Sequence, residues 1–347
     1  MRIGDFKETY AADEAVFRTP TVRFWLYLLG AAILVFPLLA GEYLIYMANI
    51  TAVAVVGAVG LNLLNGCTGL ISLGHAGFMG VGAYTSAILI TKFGVPFILT
   101  LPLSGLMAAL CGVIVGAPSL RMKGLYLCIA TLAAQVILEF TFVHWESLTQ
   151  GIRGLNVPAP TLFGLSLASG PVFYYVIMIV AALSVTASRN LFHTRVGRAF
   201  IAIRDRDYSA ELMGINLFRY KLYAFAVSSF YAGLAGCLYV NFLKIVTPEH
   251  FPLHESVRYL AMIIVGGLGS VLGSIFGAVF MTIIPEVLKS ALNLMQDITP
   301  RAMSFLFPLQ TVVFGLFIVV FLVFEPHGLA EMWRRAKNYF RLWPFEY

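Results

Sequence analysis

The feature that most constrains the fold is a series of apolar runs, each about as long as a helix that crosses the ~30 Å hydrocarbon core of a bilayer. Only 12% of the residues are charged and 60% are hydrophobic, whereas a soluble chain has about 25% charged residues. The chain is therefore predicted to be an all-α integral membrane protein with about 8–10 transmembrane helices. Full spans are predicted near 24–40, 47–64, 76–91, 95–117, 124–143, 171–188, 222–243 and 305–324.

A further apolar run, 257–288, is interrupted by the glycine-rich stretch Val265 to Gly277. Glycine clusters mark bends, so this run is expected to form two short helices that meet at a glycine-rich turn. The prediction is therefore eight full spans and one broken pair, an even number of crossings that leaves both termini on the same side.

The distribution of lysine and arginine predicts the orientation, because short cytoplasmic loops carry an excess of both. Seven basic residues lie in 189–221 and four lie in the tail 326–347, whereas the loops 145–170 and 244–256 have few and are predicted to lie outside the cell membrane. We therefore predict a cytoplasmic N-terminal segment 1–23, a transmembrane domain 24–325 with a cytoplasmic loop at 189–221, and a basic cytoplasmic tail at 326–347.

The stretch "NLLNGCTGLISLGHAGFMGVGAY", Asn62 to Tyr84, combines apolar residues with many glycines. Irregular backbone at membrane depth is tolerated only where protein or a water-filled path surrounds it, and small residues let helices pack closely. Together with the second glycine-rich break, this stretch predicts a closely packed zone beside a translocation path. The candidate path residues are Asn62, Ser72, Gly74, His75, Gly77, Gly266 and Gly267.

His75 has two interpretations. A buried imidazole is commonly a structural residue whose nitrogens are satisfied by neighbouring groups. An ionisable residue at membrane depth also tends to face a cavity, which would place His75 along the path. The sequence leaves both open.

The loop "TRVGRAFIAIRDRDYSAELMGINLFRYK", Thr194 to Lys221, is predicted to form short, individually capped helices. Val196, Phe200 and Ile203 recur at helical spacing and predict a buried face, with Arg198 and Arg204 facing outward.

Further along the loop, Asp207 is predicted to cap a second helix that ends at Gly214, and Asn216 to cap the next. The loop is either an amphipathic surface helix or a coupling helix that inserts into a nucleotide-hydrolysing partner.

Motifs for enzymatic chemistry are missing from the sequence. There is no HExxH, GxSxG or GxxxxGK[ST] pattern, so any ATP that drives the protein must be bound by another polypeptide. The four cysteines lie in apolar runs without metal-ligand spacing. We expect no catalytic residue, cofactor, metal site or nucleic-acid partner.

Four stretches resemble one known family: "GLNLLNGCTGLISLGHAGFMGVGAY", "LYLCIATLAAQVI", "GRAFIAIRDRDYSAELMGINLFRYKLYAFAVSSFYAGLAGCLY" and "IIVGGLGSVLGSIFGAVF". They resemble the membrane subunits of bacterial ABC importers for branched-chain amino acids, the LivM-like permeases, and follow that family's order over about residues 45 to 325. Two departures are Ser209-Ala210, where the family often has two alanines, and the absence of the longer EAA signature of other importers.

The resemblance implies that an ATPase subunit docks on the loop 197–214. The docking residues predicted from it are Gly197, Arg198, Ala202, Arg204, Asp205, Ala210 and Gly214. It further implies a multi-pass protein of the bacterial inner membrane that works with two cytoplasmic ATPase subunits, a homologous second permease and an extracytoplasmic binding protein.

The expected substrate is a branched-chain or hydrophobic amino acid, although relatives carry urea, amides and small organic acids. One alternative is an ion-driven secondary transporter, for which the ionisable residues within the spans are few and scattered. A passive channel is a third possibility.

Overall fold

The computed structural model describes residues 20–120, 122, 124–162, 165–166 and 170–295, together with 312–313, 315–316, 319–321, 323–325 and 328–342. The predicted N-terminal segment 1–23 lies outside these residues except for its last four positions. Much of the predicted span 305–324 also lies outside them.

The described chain is almost entirely helical. Its α-helices are α1 Pro20–Leu39, α2 Glu42–Thr68, α3 His75–Phe93, α4 Phe97–Ser119, α5 Leu125–His144, α6 Glu146–Thr149, α7 Gly170–His193, α8 Arg195–Asp205, α9 Asp207–Leu212, α10 Leu217–Leu243, α11 Leu253–Gly266, α12 Val271–Met295 and α13 Gly328–Leu342. Two 3₁₀ turns and four two-residue strands complete it: Gly151–Arg153, Pro248–His250, β1 Leu155–Asn156, β2 Thr161–Leu162, β3 Leu165–Ser166 and β4 Ile245–Val246.

Six helices within the described residues are long and apolar enough to cross a membrane: α2, α4, α5, α7, α10 and residues 271–290 of α12. This confirms the prediction of an all-α integral membrane protein. The predicted spans 24–40 and 76–91 also coincide with helices, α1 and α3, which fall outside that set of six.

The predicted broken pair differs from expectation. The interruption is confined to the turn 267–270, and residues 271–277 are helical. The first helix, α11, has 14 residues, but the second, α12, has 25 and is long enough to span by itself. The prediction of two short helices was wrong for the second, because glycines such as Gly273 and Gly277 serve helix packing there rather than a bend. Their backbones contact the end of α11 directly.

Helices α2 and α10 form the centre of the bundle. Within their most apolar windows 67% and 72% of the residues are buried, compared with 28–39% for the other four candidate spans. Helix α10 packs against α2, α3 and α4. The central pair is apolar all round, as expected of helices that other protein segments enclose.

A close approach in this core joins α3 to α10 through glycines. A Cβ at Gly82 would overlap the backbone of Gly233, and a Cβ at Gly236 would overlap the carbonyl of Met79. Small residues at these positions allow backbone-to-backbone contact, which stabilises helix pairs in lipid.

The loops sort onto two faces. Strand β1 pairs antiparallel with β4, in the register Leu155 to Val246, so the two loops predicted to be extracytoplasmic lie together. On the other face, Arg204 of α8 lies against Gly269, and Gly328 at the start of α13 lies against Gly267. The predicted cytoplasmic loop and the start of the tail therefore share one face, while the side on which each face lies stays a prediction.

We expect Gly236→Leu to prevent assembly of the bundle, because the new side chain would push α10 away from the Met79 carbonyl of α3. Overpacking a tight site costs about 1–3 kcal/mol or more. The measurement is the yield of monodisperse protein extracted from membranes in mild detergent.

The control for this substitution is Gly30→Leu in α1, where a Cβ meets nothing within 4 Å. Wild-type yield of the Gly236→Leu protein would contradict the close contact between α3 and α10.

Candidate translocation and docking sites

The first glycine-rich break, residues 69–74, folds back along the end of α2. Gly69 ends α2 in the left-handed conformation at φ 70°. The amide of Leu70 donates to the Leu64 carbonyl at 3.3 Å, and the amide of Ser72 donates to Oδ1 of Asn65 at 3.3 Å. The break therefore runs back toward the bundle interior, with its backbone hydrogen-bonded to α2.

Helix α3 consequently begins inside the bundle. Its first residue, His75, lies beside Gly57 of α2. Gly57 lies 11 residues before the last residue of α2, which is about 16 Å along a helix axis. The start of α3 is thus a helix N-terminus buried at membrane depth.

Side chains from two other helices satisfy the amides around this buried N-terminus. The amide of Leu73 donates to Oγ1 of Thr131 at 3.0 Å, and that of Ala76 donates to Oγ of Ser256 at 2.9 Å. The amide of Gly77 donates to Oε1 of Gln135 at 2.5 Å. Initial helix amides have no partner within their own helix, and the bilayer core supplies no water to replace one.

Sequence reasoning missed Thr131, Gln135 and Ser256, all of which are fully buried. The available signal was a polar side chain in each of the apolar runs "ATLAAQVI" and "HESVRYLAMII", since a buried polar group nearly always has a partner.

Gly74 and Gly77, two predicted path residues, contact α5 directly. A Cβ at Gly74 would lie 2.9 Å from the Thr131 carbonyl oxygen. A Cβ at Gly77 would lie 2.8 Å from Oε1 of Gln135 and 2.9 Å from Cδ1 of Leu138. Glycine is required here because α5 must come close enough to reach the amides of α3, and a role for these glycines in the path stays a prediction.

His75 is 1% exposed and lies between α2 and α11. Its imidazole hydrogen-bonds to the backbone of Gly57, and its ring lies 5.2 Å from the ring of Tyr259. Its Nε2 is buried and has no hydrogen-bond partner among the described residues, so only one of the two ring nitrogens is satisfied. The path-lining alternative stays a prediction.

The second glycine-rich break is joined to α2 by one side chain, Asn62. Its Oδ1 accepts from the amide of Gly269 at 2.8 Å, and its Nδ2 donates to the carbonyl of Ser270 at 2.8 Å. Gly66, one turn further along α2, packs against the backbone of Gly269. The two breaks, distant in sequence, therefore meet at the last turns of α2.

Gly266 and Gly267 lie at the start of the second break and serve its backbone geometry. A Cβ at Gly266 would overlap the carbonyl of Gly273, so this glycine permits contact between α11 and α12. Gly267 adopts φ 118°, which side chains disfavour. Ser72, the remaining path candidate, is buried and its Oγ accepts from the amide of Gly74 at 3.3 Å.

The apolar face predicted for α8 is confirmed. Phe200 and Ile203 are buried, and Val196 is partly buried. The side chain of Thr194 caps the helix by accepting from the amide of Gly197 at 3.3 Å. A Cβ at Gly197 would overlap the Leu191 carbonyl, so the end of α7 packs directly on the start of α8.

Two of the three predicted features of the following segment are confirmed. Gly214 has φ 84°, and the amide of Ile215 donates to the Ala210 carbonyl at 3.1 Å, which closes α9. The side chain of Asn216 accepts from the amide of Arg219 at 3.1 Å and caps α10.

The predicted cap at Asp207 was wrong. Asp207 is the first residue of α9, whose cap position is Arg206 without a side-chain hydrogen bond. The carboxylate of Asp207 instead accepts from Nζ of Lys221 at 2.6 Å, which ties α9 to the first turns of α10.

Arg198 and Arg204 differ in their surroundings. Arg198 is exposed, and its Nη1 donates to the carbonyl of His193 at 3.1 Å. Arg204 lies across both breaks: its Cγ is 3.7 Å from the position of a Cβ on Gly69, and its Nη1 is 2.5 Å from that on Gly269. Arg204 is exposed, as predicted, and these additional contacts could not be predicted because spacing within α8 does not reveal which segments lie beneath its end.

The other predicted docking residues occupy α8 and α9. Asp205 is exposed at the end of α8, Ala202 is partly buried and Ala210 is buried.

An exposed apolar patch, which the sequence analysis did not identify, continues this surface. Leu212 is 89% exposed and Met213 is 83% exposed, on the face predicted to lie outside the bilayer. Exposed apolar patches on such a face mark interaction sites.

Comparison with known proteins gives a consistent result. The family described as "Branched-chain amino acid transport system / permease component" matches residues 43–322. The chain is 31% identical over 340 residues to the high-affinity branched-chain amino acid transport system permease protein LivM of Escherichia coli (strain K12), covering 90% of this chain and 76% of that protein.

A second kind of relative carries a different name. The chain is 24% identical over 238 residues to the permease protein LivH of the high-affinity branched-chain amino acid transport system of Escherichia coli (strain K12), covering 62% of this chain and 74% of that protein. It is 22% identical over 232 residues to a probable branched-chain amino acid transport permease protein LivM of Methanocaldococcus jannaschii, covering 65% of this chain and 66% of that protein. No solved structure matches the chain.

We expect Asn62→Leu to lower the melting temperature of the purified protein in detergent. The substitution leaves the Gly269 amide and the Ser270 carbonyl without the partners that Asn62 supplies, at a cost of about 1–3 kcal/mol for each unsatisfied group.

The matched control is Asn49→Leu on the same helix. Neither side-chain polar atom of Asn49 has a hydrogen-bond partner among the described residues, so its replacement should leave the melting temperature unchanged or raise it. Equal melting temperatures for the Asn62→Leu protein and the wild type would show that Asn62 does not hold the second break.

Proposed function

We propose a transport mechanism for this chain that starts from its family. The chain belongs to the family of branched-chain amino acid transport system permease components. It is a multi-pass protein of the inner membrane and the permease subunit of an importer. The observation that carries this conclusion is the match over residues 43–322 together with 31% identity to a LivM protein across 90% of the chain.

The proposed substrates are branched-chain and other hydrophobic amino acids, delivered to the outer face by an extracytoplasmic binding protein. This rests on the family description, which names branched-chain amino acid transport. The loop pair joined by β1 and β4 is the surface on which we expect the binding protein to dock, because it lies on the face opposite α8.

Two separate cytoplasmic ATPase subunits are proposed to supply the energy, one for each permease of a pair. The docking surface proposed on this chain is α8 and α9, with both termini in the cytoplasm. Support comes from the rigidity of this segment: two side-chain caps, an ion pair and a left-handed glycine fix it within 28 residues, from Thr194 to Lys221. The exposed Leu212 and Met213 would lie against the ATPase.

A second permease is proposed to complete the translocation path. Of the two Escherichia coli proteins, LivM is 31% identical over 90% of this chain and LivH is 24% identical over 62% of it. We therefore expect it to take the LivM position beside a LivH-like partner.

Arg204 is proposed to couple movement of α8, on the ATPase side, to movement of the two glycine-rich breaks. A force on α8 would move the Arg204 side chain, which lies against Gly69 of the first break and Gly269 of the second. Asn62 already joins α2 to the second break, so both breaks would move with α8. A bistable element of this kind lets a local displacement select between outward and inward access.

The importer is tested by reconstituting the chain with two ATPases, a LivH-like permease and the binding protein encoded near it in the genome. We expect leucine uptake into proteoliposomes that needs ATP and the binding protein and survives ionophores that collapse ion gradients. Uptake that ionophores abolish but ATP depletion spares would favour the ion-driven alternative. Uptake that survives both treatments would favour a passive channel.

Arg204→Ala is expected to lower leucine uptake by about tenfold in the same assay while ATP hydrolysis continues, because the variant loses the contact that transmits movement from α8. A loss of this size corresponds to about 1.4 kcal/mol of coupling free energy, within the usual range for linked sites.

The matched control is Arg195→Ala, since Arg195 is an exposed arginine at the opposite end of the same helix. Wild-type uptake by the Arg204→Ala importer would rule out this route of coupling.

A further inference from the structure

A cavity of about 300 Å³ lies between α2, α3, α11 and α12. Its lining on α2 extends from Tyr46 to Ala54, which is about 12 Å along a helix axis. The end of the cavity nearest the loops joined by β1 and β4 is lined by Tyr46 and Lys289, and its deep end is lined by Ala76 and Met262. Ala76 belongs to the buried N-terminus of α3, so the cavity reaches the centre of the bundle.

Two opposite charges of α11 line this cavity, Glu255 and Arg258. Nη1 of Arg258 lies 3.3 Å from Oε1 of Glu255, and the two side chains are 23% and 28% exposed, respectively. Charged residues within a membrane domain are costly, and where they occur they commonly mark substrate or ion pathways.

The Arg258–Glu255 pair leaves donor capacity unused. A guanidinium has five N–H donors in a planar fork. Nε of Arg258 is buried, and it has no hydrogen-bond partner in the described part of the chain. A carboxylate that accepts two parallel hydrogen bonds is the ligand that best matches this fork.

One wall of the cavity is aliphatic, whereas tyrosines, His250 and a second ion pair, Lys289 with Glu286 at 2.8 Å on α12, line much of the rest. Met47, Ile50 and Val53 of α2 face Met79 of α3 and Met262 of α11. Methionine side chains adapt to varied apolar shapes, and such a wall would bury a branched hydrocarbon side chain. Apolar walls with a few convergent polar groups are typical of small-molecule sites.

We propose that this cavity is a binding site within the membrane for the zwitterionic amino acid itself. The Arg258 guanidinium binds the substrate carboxylate, the Glu255 carboxylate binds the substrate ammonium group, and the aliphatic wall accepts the side chain. This inference rests on the proposed function, and it places part of the substrate selectivity in the permease instead of leaving all of it to the binding protein.

The buried N-terminus of α3 adds to this selectivity at the deep end. Positive potential at a helix N-terminus favours a carboxylate over an amide, and Ala76 brings that N-terminus to the cavity wall. The nearby amides are already bound by Ser256 and Gln135, so the helix contributes its field while Arg258 supplies the hydrogen bonds.

The test measures equilibrium binding of radiolabelled leucine to the purified permease–ATPase complex in detergent, without the binding protein. Leucinamide, which lacks the carboxylate, and 4-methylpentanoate, which lacks the ammonium group, serve as competitors. We expect wild-type complex to bind leucine at least about tenfold more tightly than either analogue, as expected when a charged partner is removed from a partly buried pair.

Arg258→Gln and Glu255→Gln should each weaken leucine binding by about tenfold or more. Arg258→Gln should also abolish the preference for leucine over leucinamide, and Arg258→Lys should retain part of it. The matched control is Arg334→Gln, which removes another arginine paired three residues away, with Glu331 at 2.8 Å on α13, outside the cavity.

Two results would overturn the site. One is wild-type leucine affinity in both glutamine variants at normal yield and melting temperature. The other is equal affinity of the wild-type complex for leucine and both analogues. This comparison uses only wild-type protein, so it tests the site even if a variant fails to fold. Failure of the proposed function is distinct, since it would appear as a wild-type complex that does not import leucine with ATP and the binding protein.

Discussion

The constraint on which the rest of the structure depends is the need to satisfy backbone polar groups away from water. Two segments leave the helical hydrogen-bond pattern: residues 69–74, which lead into the bundle, and residues 267–270, which lie at the face shared with α8. In a bilayer each exposed amide or carbonyl there would cost several kcal/mol, so the protein supplies partners from side chains. Asn62, Gln135 and Ser256 do so, and their buried positions follow from this requirement.

The hydrogen bonds that satisfy the backbone of the two breaks also connect each break to another helix. Asn62 belongs to α2 yet binds the turn between α11 and α12, and Ser256 belongs to α11 yet binds the start of α3. A movement of one break must therefore shift a hydrogen bond of another helix. Arg204 of α8 lies over the same region, so a surface helix, two irregular segments and the central helix α2 form one contiguous network. Such a network couples distant faces of a protein when one of its elements can adopt two discrete arrangements.

Much of this architecture could be read from the sequence. Seven of the eight predicted spans coincide with helices in the described residues, and the buried face of α8, the Gly214 stop and the Asn216 cap are confirmed. Local rules suffice for these, because apolar run length, helical periodicity and capping depend on neighbours within one or two turns. Asp207 was misjudged because its partner, Lys221, lies on the next helix, and that ion pair displaced the expected local cap.

The sequence by itself determined the membrane class, the family and the positions of the irregular segments, because hydrophobicity, motifs and glycine clusters are properties of contiguous residues. Only the tertiary structure decided that the two glycine-rich breaks meet, that Asn62 holds the second of them to α2 and that Glu255 and Arg258 line one cavity with Met47 and Met79. The hydrogen bonds of Asn62 join residues up to 208 positions apart. Their pairing depends on how the helices pack against one another, a choice made by side-chain fit and backbone approach that no local pattern encodes.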